Sequence, residues 1–125
     1  KHVDTTAGVA AFRHTRRNSV TASIDRLIFH YPVFVGDLLT LRASLNMASR
    51  TSMEIGVRIE AENLLSGEVR HTASAYLTFV ALDKSGRPTE IPPLILETDD
   101  EKRRNQQALA RRAMRLAERD REAKP

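Results

Sequence analysis

The hydrophobic positions of the chain change their spacing near residue 18. Before that point they recur every three to four residues, which is the period of one face of a helix. The residues of this first stripe are Val3, Ala7, Ala10, Ala11 and His14. They predict a helix from about residue 1 to 15. Because most of its stripe consists of small side chains, we expect this helix to lie closely against a sheet as a central element.

Beyond residue 18 hydrophobic and polar positions alternate, which is the period of a β-strand. The four alternating stretches are residues 20–25, 39–47, 53–60 and 69–81. The short connections rich in turn-forming residues are residues 49–52, 64–67 and 83–88. Such connections are typical of antiparallel neighbours. The pattern therefore predicts an α+β fold, with one helix followed by an antiparallel meander that is polar on one face.

A second helix is predicted near the C-terminus. Three prolines at positions 88, 92 and 93 end the sheet region, since a proline cannot donate to a central ladder. Thr98 and Glu101 then have the spacing of a capping box, and the helix that follows extends to about Arg121. Its narrow apolar stripe consists of Leu109, Ala113, Leu116 and Ala117. We expect this helix to be largely solvated, with that stripe resting on the domain or on a partner chain.

Length and composition limit the chain to a single core. Its 125 residues are one domain's worth, which we place at residues 1–97, with residues 98–125 as a charged helix outside it. No apolar run approaches the roughly 18 residues needed to span a bilayer, and the first residues lack the apolar core of a signal peptide. The absence of cysteine excludes disulfides and thiolate nucleophiles. It suits the cytoplasm, the compartment we expect, without excluding others.

The charge of the chain is unevenly distributed. Of the net charge of +4, residues 98–125 contribute +3, so the rest is close to neutral. A basic C-terminal helix could bind nucleic acid, but acidic residues are interspersed along it and blur any stripe that could follow phosphates. Nucleic-acid binding stays open as an alternative that the charge pattern does not favour.

Asp4 is the candidate catalytic residue. A carboxylate in the first turn of a helix lies near peptide N–H groups and the positive end of the helix dipole, which suits it to activate water or to attack directly. The alternative is that it simply favours helix formation. The four histidines lack metal-ligand spacing, and neither a Gly-x-Ser-x-Gly elbow nor a glycine-rich phosphate loop occurs. We therefore expect no metal and no cofactor.

Several segments together resemble the acyl-CoA hydrolase branch of the hotdog-fold thioesterases. Residues 1–14 are similar to the family's helix, although Val3 replaces the usual Met and Thr5 the usual Glu. The family's strand-and-turn motif is matched at Val20, Thr21, Asp25, Phe29, Pro32, Gly36 and Asp37. Residues 49–54 resemble its Gly-Arg-Thr-Ser-Met-Glu turn, and residues 78–88 its last strand and exit. The resemblance covers about residues 1–97.

This resemblance implies a hotdog fold, in which an antiparallel sheet wraps a central helix, here with a C-terminal helix outside. It implies hydrolysis of fatty acyl-CoA to a free acid and CoA, with Asp4 as general base or nucleophile across the interface of a homodimer, and trimers of dimers are common in this branch. The family's oxyanion donors come from a His-Gly-Gly run before the helix and an Asn on the preceding strand. Neither is present here, so we expect the sequence to be N-terminally incomplete.

Other residues are candidates for binding the substrate. Arg50, Thr51 and Ser52 could hold the phosphates or pantetheine of CoA through charge-assisted bonds, although they also suit an ordinary hairpin. Thr21 and Ser23 share the polar parity of their strand and could line the pocket beside Asp4, although exposed strand hydroxyls are common.

Aromatic residues around a proline form the last candidate group. Phe29, Pro32 and Phe34 could be the wall of an acyl pocket or a subunit interface, and packing alone would also explain them. Arg13 and His14 are interpreted as structural residues that bond the last carbonyls of the helix. The main rival to an enzyme is a non-catalytic hotdog module that binds acyl-CoA or pairs with an active domain.

Overall fold

The computed structural model describes residues 2–123, which form two helices and four strands. The elements are α1 (His2–Thr15), β1 (Ser19–Phe29), β2 (Leu38–Ala48), β3 (Ser52–Glu62), β4 (Val69–Ala81) and α2 (Asp99–Ala123). All six predicted elements are confirmed, although the predicted start of the first helix at Lys1 lies outside the described residues. Within residues 2–123, neither helix is both long and apolar enough to cross a membrane.

The four strands form one antiparallel sheet in the order β1-β4-β3-β2. The predicted meander is confirmed for β2, β3 and β4, which are consecutive neighbours. β1 instead pairs with β4, so the connection over residues 30–37 leads from one edge of the sheet to the other. Residues 34–37 turn the chain there, because the Phe34 N–H donates to Asp37 Oδ2 at 2.9 Å and the Asp37 N–H donates to the Phe34 carbonyl at 3.1 Å. β1 and β2 are therefore the edge strands of this four-stranded sheet, and each pairs with one neighbouring strand.

Helix α1 packs on the apolar face of the sheet. Ala7 and Ala11 are fully buried against the alternate apolar side chains of the two central strands. Those side chains are Met53, Ile55, Val57, Ala75, Leu77 and Phe79. The hydrophobic surface removed from water here is the main source of stability of the domain. The small stripe residues predicted to bring the helix close to a sheet therefore have that role.

The end of α1 differs in one detail from the expectation. The ring of His14 does not bond the last carbonyls of the helix, because its Nε2 lies 2.8 Å from the carbonyl oxygen of Pro92. Arg16 closes the helix instead, in the left-handed conformation at φ 56° and with its N–H donating to the Phe12 carbonyl at 2.8 Å. His14 thus ties α1 to the segment that follows the sheet.

Helix α2 covers the polar face of the sheet. Its capping box is confirmed, because the Thr98 N–H donates to Glu101 Oε1 at 2.9 Å and the Glu101 N–H donates to Thr98 Oγ1 at 3.1 Å. The predicted apolar stripe does not rest on the domain, because Leu109, Ala113 and Ala117 are exposed and Leu116 is only half-buried; that it rests on a partner chain stays a prediction. The buried side of α2 is mostly polar, because the sheet beneath it carries a buried acid that attracts arginines of the helix.

Candidate active site

Asp4 and Thr21 lie together on the apolar face of the sheet. The first turn of α1 presents the Asp4 carboxylate, and β1 presents the Thr21 hydroxyl, which donates to Asp4 Oδ1 at 2.5 Å. Both residues are exposed to solvent. The hydroxyl fixes one carboxylate oxygen, so the other is available to a water molecule or to a substrate. This pair joins two of the residues that the sequence indicated, from elements 17 positions apart.

A cavity of about 760 Å³ lies between α1 and the β2 edge of the sheet, and neither Asp4 nor Thr21 is among its lining residues. The first two turns of α1 form one wall, and the start of β2 with part of β3 forms the other. Its apolar lining consists of Val3, Leu39, Leu41 and Ile59, and its polar lining of His2, Thr5, Thr6 and Asp37. The hydrocarbon side chains could bury an acyl chain, and His2 and Val3 adjoin Asp4 in sequence. No local pattern predicts this cavity, since its walls come from segments up to 57 positions apart.

Ser23 lies on the opposite face of the sheet from Asp4. The pairing register between β1 and β4 shifts between Thr21 and Ser23, so the two hydroxyls do not share a face. Ser23 Oγ donates to Asp25 Oδ1 at 2.5 Å, and Asp25 Oδ2 accepts from Thr78 Oγ1 at 2.6 Å. The expectation that Ser23 lines the pocket beside Asp4 is therefore corrected. Strict alternation could not reveal the bulge that causes the difference.

Arg50, Thr51 and Ser52 lie in the turn between β2 and β3. The turn is closed by the Ser49 hydroxyl, which lies 2.8 Å from Ser52 Oγ and donates to the Ser52 carbonyl at 3.1 Å. The backbone carbonyls of Arg50 and Thr51 accept hydrogen bonds from residues that follow β3 in sequence. The Arg50 side chain is exposed and, within residues 2–123, has no hydrogen-bond or ion-pair partner. The structure thus leaves this guanidinium available to a ligand but does not bring it to Asp4.

Phe29, Pro32 and Phe34 lie at the end of β1 and in the connection that follows. Phe29 is 76% exposed and Phe34 is 66% exposed, and neither lines the cavity between α1 and β2. Apolar side chains of β1 itself, including Val20, Ile24 and Leu27, are also exposed. Several exposed apolar side chains along one edge strand are typical of an interaction site in a folded protein.

A buried ion pair beneath α2 was missed by sequence reasoning. The Glu54 side chain is completely buried and accepts two hydrogen bonds from Arg111, from Nη2 to Oε1 at 2.6 Å and from Nε to Oε2 at 2.9 Å. Asn46 Nδ2 donates a third at 3.0 Å. The hydrogen bond to Glu54 raises the pKa of Arg111, and the Arg111 guanidinium also lies 3.9 Å above the Tyr76 ring. Two features of the sequence could have indicated this pair: Glu54 lies in a central strand, and Arg111 and Arg115 lie one turn apart on the helix.

Comparison with known proteins agrees with this architecture. The thioesterase superfamily model matches residues 1–68. The human cytosolic acyl coenzyme A thioester hydrolase is 37% identical in a match that covers 100% of this chain and 33% of that protein. The curated relatives are longer proteins, of which this chain spans between 21% and 64%.

Solved structures share the fold at similar identity. A hexameric acyl-CoA thioesterase in its apo form is 39% identical with a TM-score of 0.89, over 99% of this chain and 78% of that one. An acyl-CoA hydrolase from Staphylococcus aureus, solved with butyryl coenzyme A, coenzyme A and coenzyme A disulfide, is 35% identical with a TM-score of 0.88, over 97% and 74%. The predicted hotdog fold is confirmed by these neighbours. By sequence and by fold, the chain belongs to the thioesterase superfamily.

Proposed function

We propose that this chain is the catalytic hotdog domain of an acyl-CoA thioesterase, which hydrolyses fatty acyl-CoA to a free acid and CoA. The observation that supports it most is the solvent-accessible Asp4 carboxylate, hydrogen-bonded to Thr21 in the first turn of α1, a helix that also forms one wall of a partly apolar cavity. Because the chain belongs to the thioesterase superfamily, we assign thioester hydrolysis to that carboxylate. The reaction uses no cofactor, since CoA is part of the substrate and of the product.

In the proposed reaction Asp4 acts on the thioester carbonyl. As a general base it accepts a proton from water while the water oxygen attacks the carbonyl carbon. The tetrahedral intermediate then expels CoA as a thiolate, which takes up a proton. As a nucleophile, Asp4 would itself attack the carbonyl carbon and expel CoA as a thiolate, and water would then hydrolyse the resulting mixed anhydride to the free acid and the Asp4 carboxylate. In both cases the Thr21 hydroxyl orients the carboxylate and leaves Oδ2 for the reaction.

The negative charge of the intermediate needs hydrogen-bond donors. The N–H groups in the first turn of α1 lie at the positive end of the helix dipole, so they suit an oxyanion close to Asp4. The family resemblance implies further donors from a His-Gly-Gly run ahead of the helix, outside the sequence given. Asp4 and an oxyanion site can therefore occupy adjacent positions at one helix terminus.

The remaining substrate contacts are assigned by shape and charge. We place the acyl chain in the cavity lined by Val3, Leu39 and Leu41, and the CoA phosphates or pantetheine at the exposed turn of Arg50, Thr51 and Ser52. The exposed apolar surface around Phe29, Pro32 and Phe34 is better suited to a subunit interface than to an acyl pocket, because no wall faces it within residues 2–123.

The proposed assembly is a homodimer that forms trimers of dimers in the cytoplasm. The exposed apolar side chains of β1 support association, since burying them would remove hydrophobic surface from water. A hexameric acyl-CoA thioesterase is among the structural neighbours, and the human relative is named a cytosolic enzyme. The molecular mass of the purified protein in solution, measured by light scattering, tests the assembly: six chains support it and a monomer contradicts it.

The proposed function is tested by the release of CoA thiol from acyl-CoA substrates of increasing chain length. Asp4→Asn keeps the size of the side chain but removes its basicity, so we expect kcat to fall by about 10²- to 10⁴-fold. Thr21→Val should lower kcat less, because it removes only the orienting hydrogen bond. An Asp4→Asn protein that binds acyl-CoA and hydrolyses it at the unaltered rate would contradict the catalytic role of Asp4. A wild-type protein that binds acyl-CoA without hydrolysis would instead identify a non-catalytic module.

A further inference from the structure

The polar face of the sheet contains a second cavity, of about 420 Å³, beneath the first half of α2. Its floor is formed by alternate residues of the three strands β2, β3 and β4, among them Asn46, Gly56 and Tyr76. Five arginines line it, namely Arg42, Arg58, Arg103, Arg104 and Arg111. No aspartate or glutamate within residues 2–123 is among its lining residues. The cavity is therefore strongly basic and lies across the sheet from Asp4.

The nearby acids do not balance these arginines. Glu60 is shared by Arg42 at 3.1 Å and Arg58 at 3.7 Å, so one carboxylate faces two guanidinium groups. Arg103 pairs at 3.3 Å with Asp100 on the exposed side of the helix. Arg111 makes two hydrogen bonds to Glu54, a carboxylate that Arg115 also approaches at 3.7 Å. The cavity thus keeps an excess of positive charge after every ion pair among the described residues is counted.

Arg104 adds a direct sign of a missing acceptor. Its Nε is buried and has no hydrogen-bond partner within residues 2–123. A charged donor that loses water without gaining an acceptor is unfavourable, and an anion in the cavity would supply that acceptor. The pKa of His71, which also lines the cavity, is lowered first by burial and then by the positive charge of Arg58. The unpaired Arg104 donor and the effect of Arg58 on His71 both fit a basic cavity.

We propose that this cavity binds a small molecule that carries phosphate groups, at a site separate from Asp4 and from the turn of Arg50. Guanidinium groups match phosphate oxygens with paired N–H donors, and several of them converge here. The volume is in the range of ordinary small-ligand pockets, about 300–1,000 Å³. The phosphate could belong to a free nucleotide or to the nucleotide end of a CoA molecule, which share this chemistry.

Direct binding to the purified protein tests this proposal without any use of enzymatic activity. Titration calorimetry with ADP and with inorganic pyrophosphate should show saturable binding that weakens with salt, since charge drives it. Arg104→Gln should weaken binding at least tenfold. Arg58→Gln, at an exposed position where folding is not at stake, should weaken it as well. Arg119→Gln is the matched control on the exposed side of the same helix, and its affinity should stay within twofold of the wild type.

The two sources of phosphate are separated by competition. If ADP binds equally well in the presence of saturating CoA, the cavity holds a free nucleotide. The effect of ADP on the rate of hydrolysis would then show whether the nucleotide regulates the enzyme. If CoA displaces ADP, and Arg104→Gln weakens CoA binding while Arg119→Gln does not, the cavity holds the nucleotide end of CoA. Both results support a phosphate site on this face.

Two results would overturn the proposal. One is binding of ADP, pyrophosphate and CoA that Arg58→Gln and Arg104→Gln leave within twofold of Arg119→Gln. The other is no phosphate binding at all, together with a change of molecular mass in solution on Arg58→Gln or Arg104→Gln. That second result would mean that acids of a neighbouring subunit, and not a small molecule, face these arginines.

Discussion

The two faces of the sheet contact their helices in different ways, one through apolar packing and the other through a buried ion pair. On the α1 face, Ala7 and Ala11 let the helix pack closely on apolar strand residues, and the polar Asp4–Thr21 pair lies at the solvent-exposed start of the helix. On the α2 face, a completely buried Glu54 holds the helix through Arg111. The strongest electrostatic interactions of the domain are therefore remote from the candidate catalytic carboxylate. The buried charge of Glu54 docks helix α2, whereas the proposed chemistry uses Asp4, a carboxylate that is accessible to solvent.

Each face also has one pair of aspartate and threonine. Thr21 donates to Asp4 at 2.5 Å on the α1 face, and Thr78 donates to Asp25 at 2.6 Å on the α2 face. The two hydrogen bonds are alike, but their surroundings differ. Asp25 accepts a second bond from Ser23, lies 3.7 Å from Arg115 and has a side chain that is only 8% exposed, whereas the Asp4 carboxylate is exposed to solvent in the first turn of a helix. The local pair is thus not what distinguishes a catalytic site; the exposure of the carboxylate and the groups around it are.

The largest effect on stability is expected from breaking the buried pair under α2. Arg111→Ala leaves the Glu54 carboxylate buried without its main partner, which costs about 3–5 kcal/mol for a pair of this kind. Arg115, 3.7 Å from Glu54 Oε2, offsets part of that loss, so we expect the lower end of the range. Urea unfolding should show it, with Arg119→Ala as the control on the exposed side of α2. A loss below about 0.5 kcal/mol for Arg111→Ala would mean that α2 is not held by this pair.

A smaller loss is expected from enlarging a contact on the α1 face. Ala11 is fully buried where the helix approaches the sheet, so Ala11→Leu must push α1 outward or force strained side chains, at about 1–3 kcal/mol. The same substitution at Ala110, which is exposed on α2, supplies the control. Thermal unfolding measures both. If Ala11→Leu proved as stable as Ala110→Leu, the close packing of α1 would be contradicted.

The smallest effect concerns pH and His71. Burial lowers the pKa of His71, so as pH falls through the ordinary histidine value of about 6.5 the unfolded chain takes up a proton before the folded one does. Folding stability should therefore decrease from pH 7 towards pH 5, and His71→Gln should flatten this part of the profile. Urea unfolding at a series of pH values tests it. A profile that keeps its full slope in His71→Gln would assign the pH dependence to other groups.

The sequence predicted the elements better than their arrangement. The small stripe of α1 and the strand alternation depend on local period, which sequence displays directly. The pairing of β1 with β4 and the bulge after Thr21 depend on the register between distant segments, so alternation placed Ser23 on the wrong face. The apolar stripe of α2 does not lie on the sheet, because the helix docks there through Arg111 on Glu54, and a charged residue in a strand is expected to be solvent-exposed until its partner is known.

The candidate site was likewise only partly predictable. Asp4 and Thr21 were named from motif and parity, and the structure brings them together. The cavity between α1 and the β2 edge requires α1, β2 and β3 to meet, which no local pattern indicates. The roles of Arg50, Thr51 and Ser52 in binding CoA stay predictions, because a turn with exposed side chains suits a ligand and a plain hairpin equally.

The comparison of the two aspartates gives the most direct test of the account. The measurement is kcat for acyl-CoA hydrolysis by Asp4→Asn and by Asp25→Asn, two isosteric changes that each remove a carboxylate bonded to a threonine. We expect kcat to fall by about 10²- to 10⁴-fold for Asp4→Asn and to stay within about threefold of the wild type for folded Asp25→Asn. Equal losses in the two variants, or a larger loss for Asp25→Asn, would contradict the assignment of the chemistry to the α1 face.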